Sequence, residues 1–398
     1  MKEKGSMRIL YYTWNENSQR DMAESLVKLG YNVSCCNIPF SNYEEDKCFT
    51  DNLEKIFKEQ ACDCFLSFDF FPLIAKCAEH LKKIYISWVY DTPHLTLFSP
   101  SVESEYVKLF IFDKNQYSEM KERKYRGLFH LPLAVNVERL VRQLGKLDKK
   151  IQYINEISFV GSLYEKNMYR QVQYLPEYLR GYIEGIIVAQ QKVYGYNFVQ
   201  EVIEEKISVE LGKYVKMNLD DRYQVRKSQL YSNMLNAEIT ARDREKLLEV
   251  AANEGNVNLY SESQYSRIQN NKKITYTGII DYEKGMPAVF RGSKINLNIT
   301  LRSITSGIPL RALDIMGAGG FLMSNYQAEL SEYFIDGKDM VLFDSPEDMQ
   351  WKIRYYLKHD DERQQIAKNG FEKVKRKFSY DIQLEKMMRL AFEDEIKV

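Results

Sequence analysis

Arg302, Ser306, Gly307, Arg311 and Asp314 fall in one short stretch, INLNITLRSITSGIPLRALDIMGAGGFLMSNY, which runs from residue 295 to 326. An alternating apolar strand, 295–299, meets a polar loop, 300–307, before Pro309 opens a helix that carries Leu310, Leu313, Ile315 and Met316 inward and stops at the glycines of 317–320. A second apolar strand, 321–323, completes a βαβ unit. The loop at the carboxyl end of such a strand offers backbone N–H groups and a helix dipole, the usual seat for a phosphorylated ligand. Gly161 and Ser162 close another apolar run, 156–160, where a glycine lets a backbone approach a ligand; the alternative is an ordinary turn. Asp91 and His94, in Tyr90-Asp91-Thr92-Pro93-His94, are of the types that take up and deliver protons, and they follow an apolar strand, 84–88. Asp91 suits a general base on a hydroxyl, or simply an Asx turn before Thr-Pro.

The flanking sequence predicts how these residues are held. Strand-like runs at 8–13, 32–36, 64–68, 84–89, 108–112 and 127–131 alternate with helical spacing at 19–29, 51–59 and 72–81, the pattern of a parallel, doubly wound sheet. Regularity stops near Asn136, and the polar, basic segment 139–155 reads as a linker. A second α/β domain is expected over 156–378, with strands at 156–160, 237–240, 257–260, 274–277, 295–299, 321–323 and 340–343. Between 165 and 235 the spacing is helical, without a convincing strand, and reads as an insertion. A final helix, 381–395, has apolar residues at helical spacing. Asn296 and Asn298 alternate out of a buried strand and need partners there, which makes them structural hydrogen-bonders first. Tyr11, Tyr12, Trp14 and Asn15 form an aromatic run suited either to stacking a sugar or to packing.

Composition narrows the function classes. A chain of 398 residues with 44% hydrophobic content can bury two cores, and Lys plus Arg equals Asp plus Glu at 56 each. No net field therefore draws it to nucleic acid or an anionic membrane. The six cysteines, Cys35, Cys36, Cys48, Cys62, Cys64 and Cys77, lie too close together for a long-range disulfide framework, so a cytoplasmic location is expected. Cys62-Asp63-Cys64 lacks a zinc-knuckle spacer, and buried thiols are the simpler reading. No stretch has the length of a membrane span. Residues 1–6 are set aside as a candidate appended segment ahead of Met7. No Gly-x-Gly-x-x-Gly follows either first strand, which disfavours a dinucleotide enzyme.

Several strings resemble the spore maturation (CgeB-like) glycosyltransferases: Phe159-Val160-Gly161-Ser162-Leu163-Tyr164, Lys294-Ile295-Asn296-Leu297-Asn298-Ile299-Thr300, Ser306-Gly307-Ile308-Pro309-Leu310-Arg311, Asp314-Ile315-Met316 with Gly319-Gly320, and Ala367-Lys368-Asn369-Gly370. Trp88-Val89-Tyr90-Asp91-Thr92-Pro93, Phe112-Asp113 and Leu131-Pro132-Leu133-Ala134-Val135-Asn136 resemble the domain that accompanies them. The resemblance covers nearly the whole chain and is weakest at 164–234.

It implies a GT-B fold: two Rossmann-like doubly wound domains facing a cleft, 7–138 on the acceptor side and 156–378 on the donor side, with 379–398 returning to the first domain. It further implies transfer of a sugar from a nucleotide-diphosphate donor, UDP-type, to a protein, peptide or glycan acceptor, with no cofactor and no metal. Under that reading Asp314 grips the ribose, where related enzymes carry the longer Glu; its alternative is to complement the helix dipole. The N–H groups near Ser306 and Gly307, with Arg302 or Arg311, neutralise the diphosphate, and Gly161 and Ser162 let the donor approach. Arg311 has the alternative of pairing with Asp314 or Glu329. Asp91 is the catalytic base or sugar-orienting group, and His94 contacts the transferred sugar. A nucleotide-sugar epimerase with a denser set of acids, and an inactive nucleotide-sugar-binding protein, are the other readings on this scaffold.

Overall fold

The computed structural model describes residues 6–123, 125–145, 152–217, 219–262 and 267–392. Residues 1–5 of the segment set aside above, 146–151 of the linker and 393–395 of the final helix lie outside them. The chain divides into two compact units, one of Met1–Asn136, Leu219–Gln224 and Lys377–Val398, the other of Val137–Asn218 and Val225–Arg376.

The first unit is built on six strands, β1 Arg8–Tyr12, β2 Asn32–Cys36, β3 Cys64–Phe68, β4 Ile84–Val89, β5 Val107–Ile111 and β6 Leu128–His130. They pair in parallel in the order β2-β1-β3-β4-β5-β6. Every residue of β3 and β5 is buried, as expected of parallel strands covered on both faces, and this explains their unbroken apolar character. Helix starts follow the local chemistry: the Asp46 carboxylate accepts the Phe49 N–H ahead of Lys47–Glu59, and Asp113 accepts the Asn115 and Gln116 N–H groups ahead of Lys114–Glu122. The helix Tyr380–Phe392 packs in this same unit, where Asp381 pairs with Lys28 at 2.6 Å and the Tyr380 ring meets Trp88 edge-on. Residues 219–224 also join it, the Gln224 N–H donating to the Phe98 carbonyl at 3.2 Å.

The second unit carries β7 Asn155–Val160, β8 Val257–Tyr260, β9 Ile274–Tyr276, β10 Ser293–Asn298, β11 Leu322–Asn325 and β12 Val341–Phe343, parallel in the order β12-β11-β10-β7-β8-β9. After β9 the chain returns to the far side of β7, so β7 and β10 flank the point where strand order reverses. In the first sheet that point lies between β1 and β3. Crevices at such points, beyond the carboxyl ends of the strands, are where open α/β sheets bind ligands.

One sequence expectation is corrected. Residues 237–240 are not a strand but lie inside a single helix, Lys227–Glu254, which is the crossover from β7 to β8. The two β-branched residues among them, Ile239 and Thr240, are buried on that helix rather than in a pleated strand. The helix Val137–Leu144 runs into the start of the segment 139–155 expected to be a linker. The helices Glu177–Gln190, Val199–Val202 and Glu205–Leu211 occupy the insertion, and charge ties it to the long helix. Arg170 reaches Glu238 at 2.7 Å and Glu245 at 3.3 Å, and Arg242 bridges Glu184 at 2.6 Å and Glu238 at 2.7 Å.

Candidate functional site

In the second unit, the helix that follows β10, Leu310–Gly317, starts at Pro309 with no side chain capping its N-terminus and no acid in its first turn. Its first turn thus carries no acid of its own to complement the helix dipole. Arg311, in that first turn, lays its guanidinium over the Phe159 ring at 5.3 Å, beside Gly161. A Cβ on Gly161 would lie 2.3 Å from Arg311 Nη2, and the glycine has φ +146°, so the residue is set by conformation and by the arginine alike. The end of β7, the start of this helix and a cation thus converge on one spot.

The structure separates the two candidate cations. Arg302 donates through Nε to Asp243 at 2.6 Å and through Nη1 to the Val193 carbonyl at 2.7 Å, while its own N–H donates to Thr240 Oγ1. Its charge is paired in tying the loop after β10 to the long helix and the insertion. Arg302 lines a shallow groove with Gly195, Asn197, Thr300, Thr305 and Gln327. Ser306 is buried, its hydroxyl donating to Glu329 Oε1 at 3.0 Å and its carbonyl accepting the Glu329 N–H at 3.0 Å. Gly307 follows it, also buried, into Ile308-Pro309 and the helix. Ser162 accepts the Tyr164 N–H on Oγ at 3.1 Å, shaping the turn after β7. Asp314, one turn along the helix, is buried and receives the Tyr282 hydroxyl at 3.4 Å.

Two residues of this region escaped the sequence reading. Tyr282 carries no motif of its own. Arg244 is buried, stacked by Phe159 and Tyr164, and donates to the main-chain carbonyls of Ser162 and Ile299. Burial, and then the Arg311 charge, push its pKa down to about 9. The signal for it was available: Thr240, Arg244, Leu247 and Leu248 share one helical face, a spacing hidden by reading 237–240 as a strand. Asn296 and Asn298 are structural. Asn296 bridges the Phe290 and Phe321 carbonyls and accepts the Ser158 hydroxyl; Asn298 donates to Thr300 and Ser324.

In the first unit the strand ends gather acids. Asp69, directly after β3, is buried with φ 56°; its Oδ1 accepts the Tyr90 N–H at 2.9 Å and the Asp91 N–H at 3.1 Å. Its carbonyl accepts the Ser67, Tyr85 and Ser87 hydroxyls, which fix the strained backbone. Asp69 thus holds the loop bearing Asp91 and His94. His94 Nε2 accepts the Phe70 N–H at 3.1 Å, and its Nδ1 lies 3.9 Å from Asp69 Oδ1. The Asp91 side chain is accessible, yet the surrounding protein desolvates its carboxyl and Asp69 repels its charge, pushing the pKa up to about 6 against a smaller opposing pull from His94. Glu16, beyond β1, is buried and held by the Tyr11 hydroxyl and the Trp14 N–H; burial raises its pKa, with Asp69 adding to the rise. Tyr11 and Tyr12 are core residues, Tyr12 packing edge-on against Phe49 and Phe71, so the packing alternative holds for both.

Among the described residues no three His, Cys, Asp or Glu side chains converge as metal ligands, and no helix is long and apolar enough to cross a membrane. All six cysteines are free thiols, four of them buried.

Residues 242–389 match the family model described as glycosyl transferase-like. No curated protein sequence matches the chain. Solved structures share its fold along almost its whole length. Sucrose-phosphate synthase from Thermosynechococcus elongatus superposes with a TM-score of 0.56 at 11% identity, over 98% of this chain and 100% of that one. HepE from Anabaena, solved in complex with UDP and glucose, gives 0.53 at 8% identity over 96% and 99%. WaaG, a glycosyltransferase involved in lipopolysaccharide biosynthesis, gives 0.52 at 10% identity over 96% and 98%. The two parallel six-stranded sheets are those of the GT-B fold.

Proposed function

We propose that this chain is a glycosyltransferase that moves a sugar from a nucleoside-diphosphate sugar, UDP-type, to an acceptor hydroxyl on a protein, peptide or glycan. The observation that carries the reading is the uncapped start of Leu310–Gly317 beside Arg311 and Gly161, at the strand-order reversal of the second sheet. A leaving nucleoside diphosphate gains negative charge as the glycosidic bond breaks, and fixed donors aimed at that charge lower the barrier. Main-chain N–H groups and one guanidinium supply this without a metal ion. Asp314, in the next turn, takes the ribose hydroxyls. The UDP and glucose bound by HepE support a UDP-type donor, and the glycosyl transferase-like match over 242–389 supports transfer chemistry. The strings quoted above favour the CgeB-like branch.

On the first unit Asp91 serves as the base, its raised pKa keeping the carboxylate basic enough to take a hydroxyl proton near neutral pH, and His94 contacts the transferred sugar. Incubation with a panel of UDP-, GDP-, dTDP- and CDP-sugars tests the reading. Thermal stabilisation by one nucleotide class with slow donor hydrolysis is expected; absence of both across the panel refutes it.

One observation favours a second reading, a nucleotide-sugar epimerase: Asp69 acts on the charges of both Glu16 and Asp91, a denser acid set than separate loops suggest. An isomerised donor or sugar, seen by NMR without any acceptor, would select it.

A further inference from the structure

Arg244 is a cation in an unusual setting. It lies 2% exposed within the helix Lys227–Glu254, and its guanidinium hydrogen-bonds only to main-chain oxygens. Nε and Nη2 donate to the Ile299 carbonyl at 3.1 and 2.8 Å, and Nη1 donates to the Ser162 carbonyl. The two carbonyls stand just beyond β10 and β7, the strands that flank the reversal of the second sheet. The rings of Phe159 and Tyr164 lie 5.3 and 5.0 Å from the guanidinium carbon. The carboxylate next to it in sequence, Asp243, is already paired with Arg302 at 2.6 Å. A second guanidinium, Arg311, rests on the same Phe159 ring.

Burying a cation without a bonded carboxylate, close to another cation, is unfavourable in a protein by itself. The arrangement becomes favourable when an anion occupies the adjoining crevice. A lysine would bring the charge but not the planar fork that reaches two carbonyls on different strands.

Resting on the donor reading above, we propose that Arg244 is a positioning residue for the diphosphate of the donor: its fork fixes the turns after β7 and β10 that border the seat, and its charge adds to that of Arg311 beneath it. Arg244 does not touch the ligand. It sets the place of Gly161 and Ser162 on one side and of the 300–307 loop on the other, and it selects for a dianionic diphosphate over a neutral nucleoside.

The test uses the full chain with Arg244→Lys and Arg244→Met, titrated calorimetrically with UDP, uridine and inorganic pyrophosphate, with thermal unfolding as the check on folding. Arg244→Lys is expected to weaken UDP and pyrophosphate about tenfold, the scale of one charge-assisted hydrogen bond, and to leave uridine unchanged. Arg244→Met is expected to lose more on the same two ligands. If Arg244→Met does not fold, Arg244→Lys alone decides. In steady-state transfer the donor KM should rise while kcat at saturating donor moves less. Equal weakening of uridine and UDP would show a merely structural role, and unchanged UDP binding in a folded variant would remove Arg244 from the seat; either result overturns the inference while leaving the donor reading in place. If the wild-type protein binds neither UDP nor pyrophosphate, both fall together.

Discussion

The two sheets make the same topological device and charge it oppositely. Where strand order reverses in the first sheet, beyond β1 and β3, stand Glu16 and Asp69, with Asp91 on the loop that Asp69 holds. At the corresponding place in the second sheet, beyond β7 and β10, stand Arg244 and Arg311 and the uncapped helix start. In each set burial comes first and a like charge adds to it: desolvation and then Asp69 push Asp91 up to about 6, and desolvation and then Arg311 push Arg244 down to about 9. On the function proposed above, one crevice holds and moves a proton and the other receives an anion. The fold supplies the position, and a few side chains decide the chemistry.

The comparison breaks most sharply at Asp91. Asp91→Asn is expected to lower transfer by about 10²- to 10⁴-fold, the usual worth of a positioned general base, while UDP affinity stays at the wild-type value. Equal turnover in that variant would take the proton chemistry away from the first unit. On the basic side, Arg311→Ala is expected to weaken UDP by about 10- to 100-fold and uridine hardly at all, consistent with a charged hydrogen-bond donor lost from a phosphate. A titration in which both ligands weaken alike would place Arg311 elsewhere.

Smaller effects sharpen the contrast. Gly161→Ala puts a Cβ 2.3 Å from Arg311 Nη2 at a φ of +146°, so the guanidinium must shift. UDP affinity should fall severalfold, about 1 kcal/mol of strain and displacement, with a matching loss in thermal stability; full affinity would mean the arginine's position is immaterial. Asp314→Ala should weaken nucleoside and nucleotide together by a comparable factor, since a ribose contact is common to both, and unchanged affinity would remove Asp314 from the site.

The smallest effect is a shift in pH. A base acts in its ionised form, so transfer should rise with pH through a midpoint near Asp91's value of about 6. Asp69→Asn keeps an oxygen acceptor for the Tyr90 and Asp91 N–H groups but removes the repelling charge. The acid limb should move to lower pH by less than about one unit, because desolvation, the larger cause of the rise, remains. A limb that stays in place, or moves upward, would separate Asp69 from the ionisation of Asp91.

Much of this was legible in the chain itself. Apolar runs spaced by helical segments specify parallel sheets because only buried strands are apolar on both faces, and the 295–326 stretch declares a strand, loop and helix through Pro309 and the closing glycines. Local cues of the same kind single out Asp91, Arg311 and Gly161 as candidates. Others were hidden for physical reasons. A short run with two β-branched residues, Ile239 and Thr240, looks alike in a strand and in a buried helix until the long-range packing is known, and a strand reading of 237–240 conceals Arg244. Arg302 and Arg311 are equivalent as residue types, yet Asp243, distant in sequence, neutralises only the first.

The sequence by itself determined the classes of element, the two sheets and the chemical types available at their ends, since periodicity and turn residues act over a few positions. Tertiary structure alone decided that Arg302 pairs with Asp243 and that Arg244 bonds to main-chain carbonyls. Glu16, Asp69 and Asp91 come from separate segments of the chain, as do Arg244 and Arg311, and the pKa values of Glu16, Asp91 and Arg244 shift because folding takes water away and brings a like charge near.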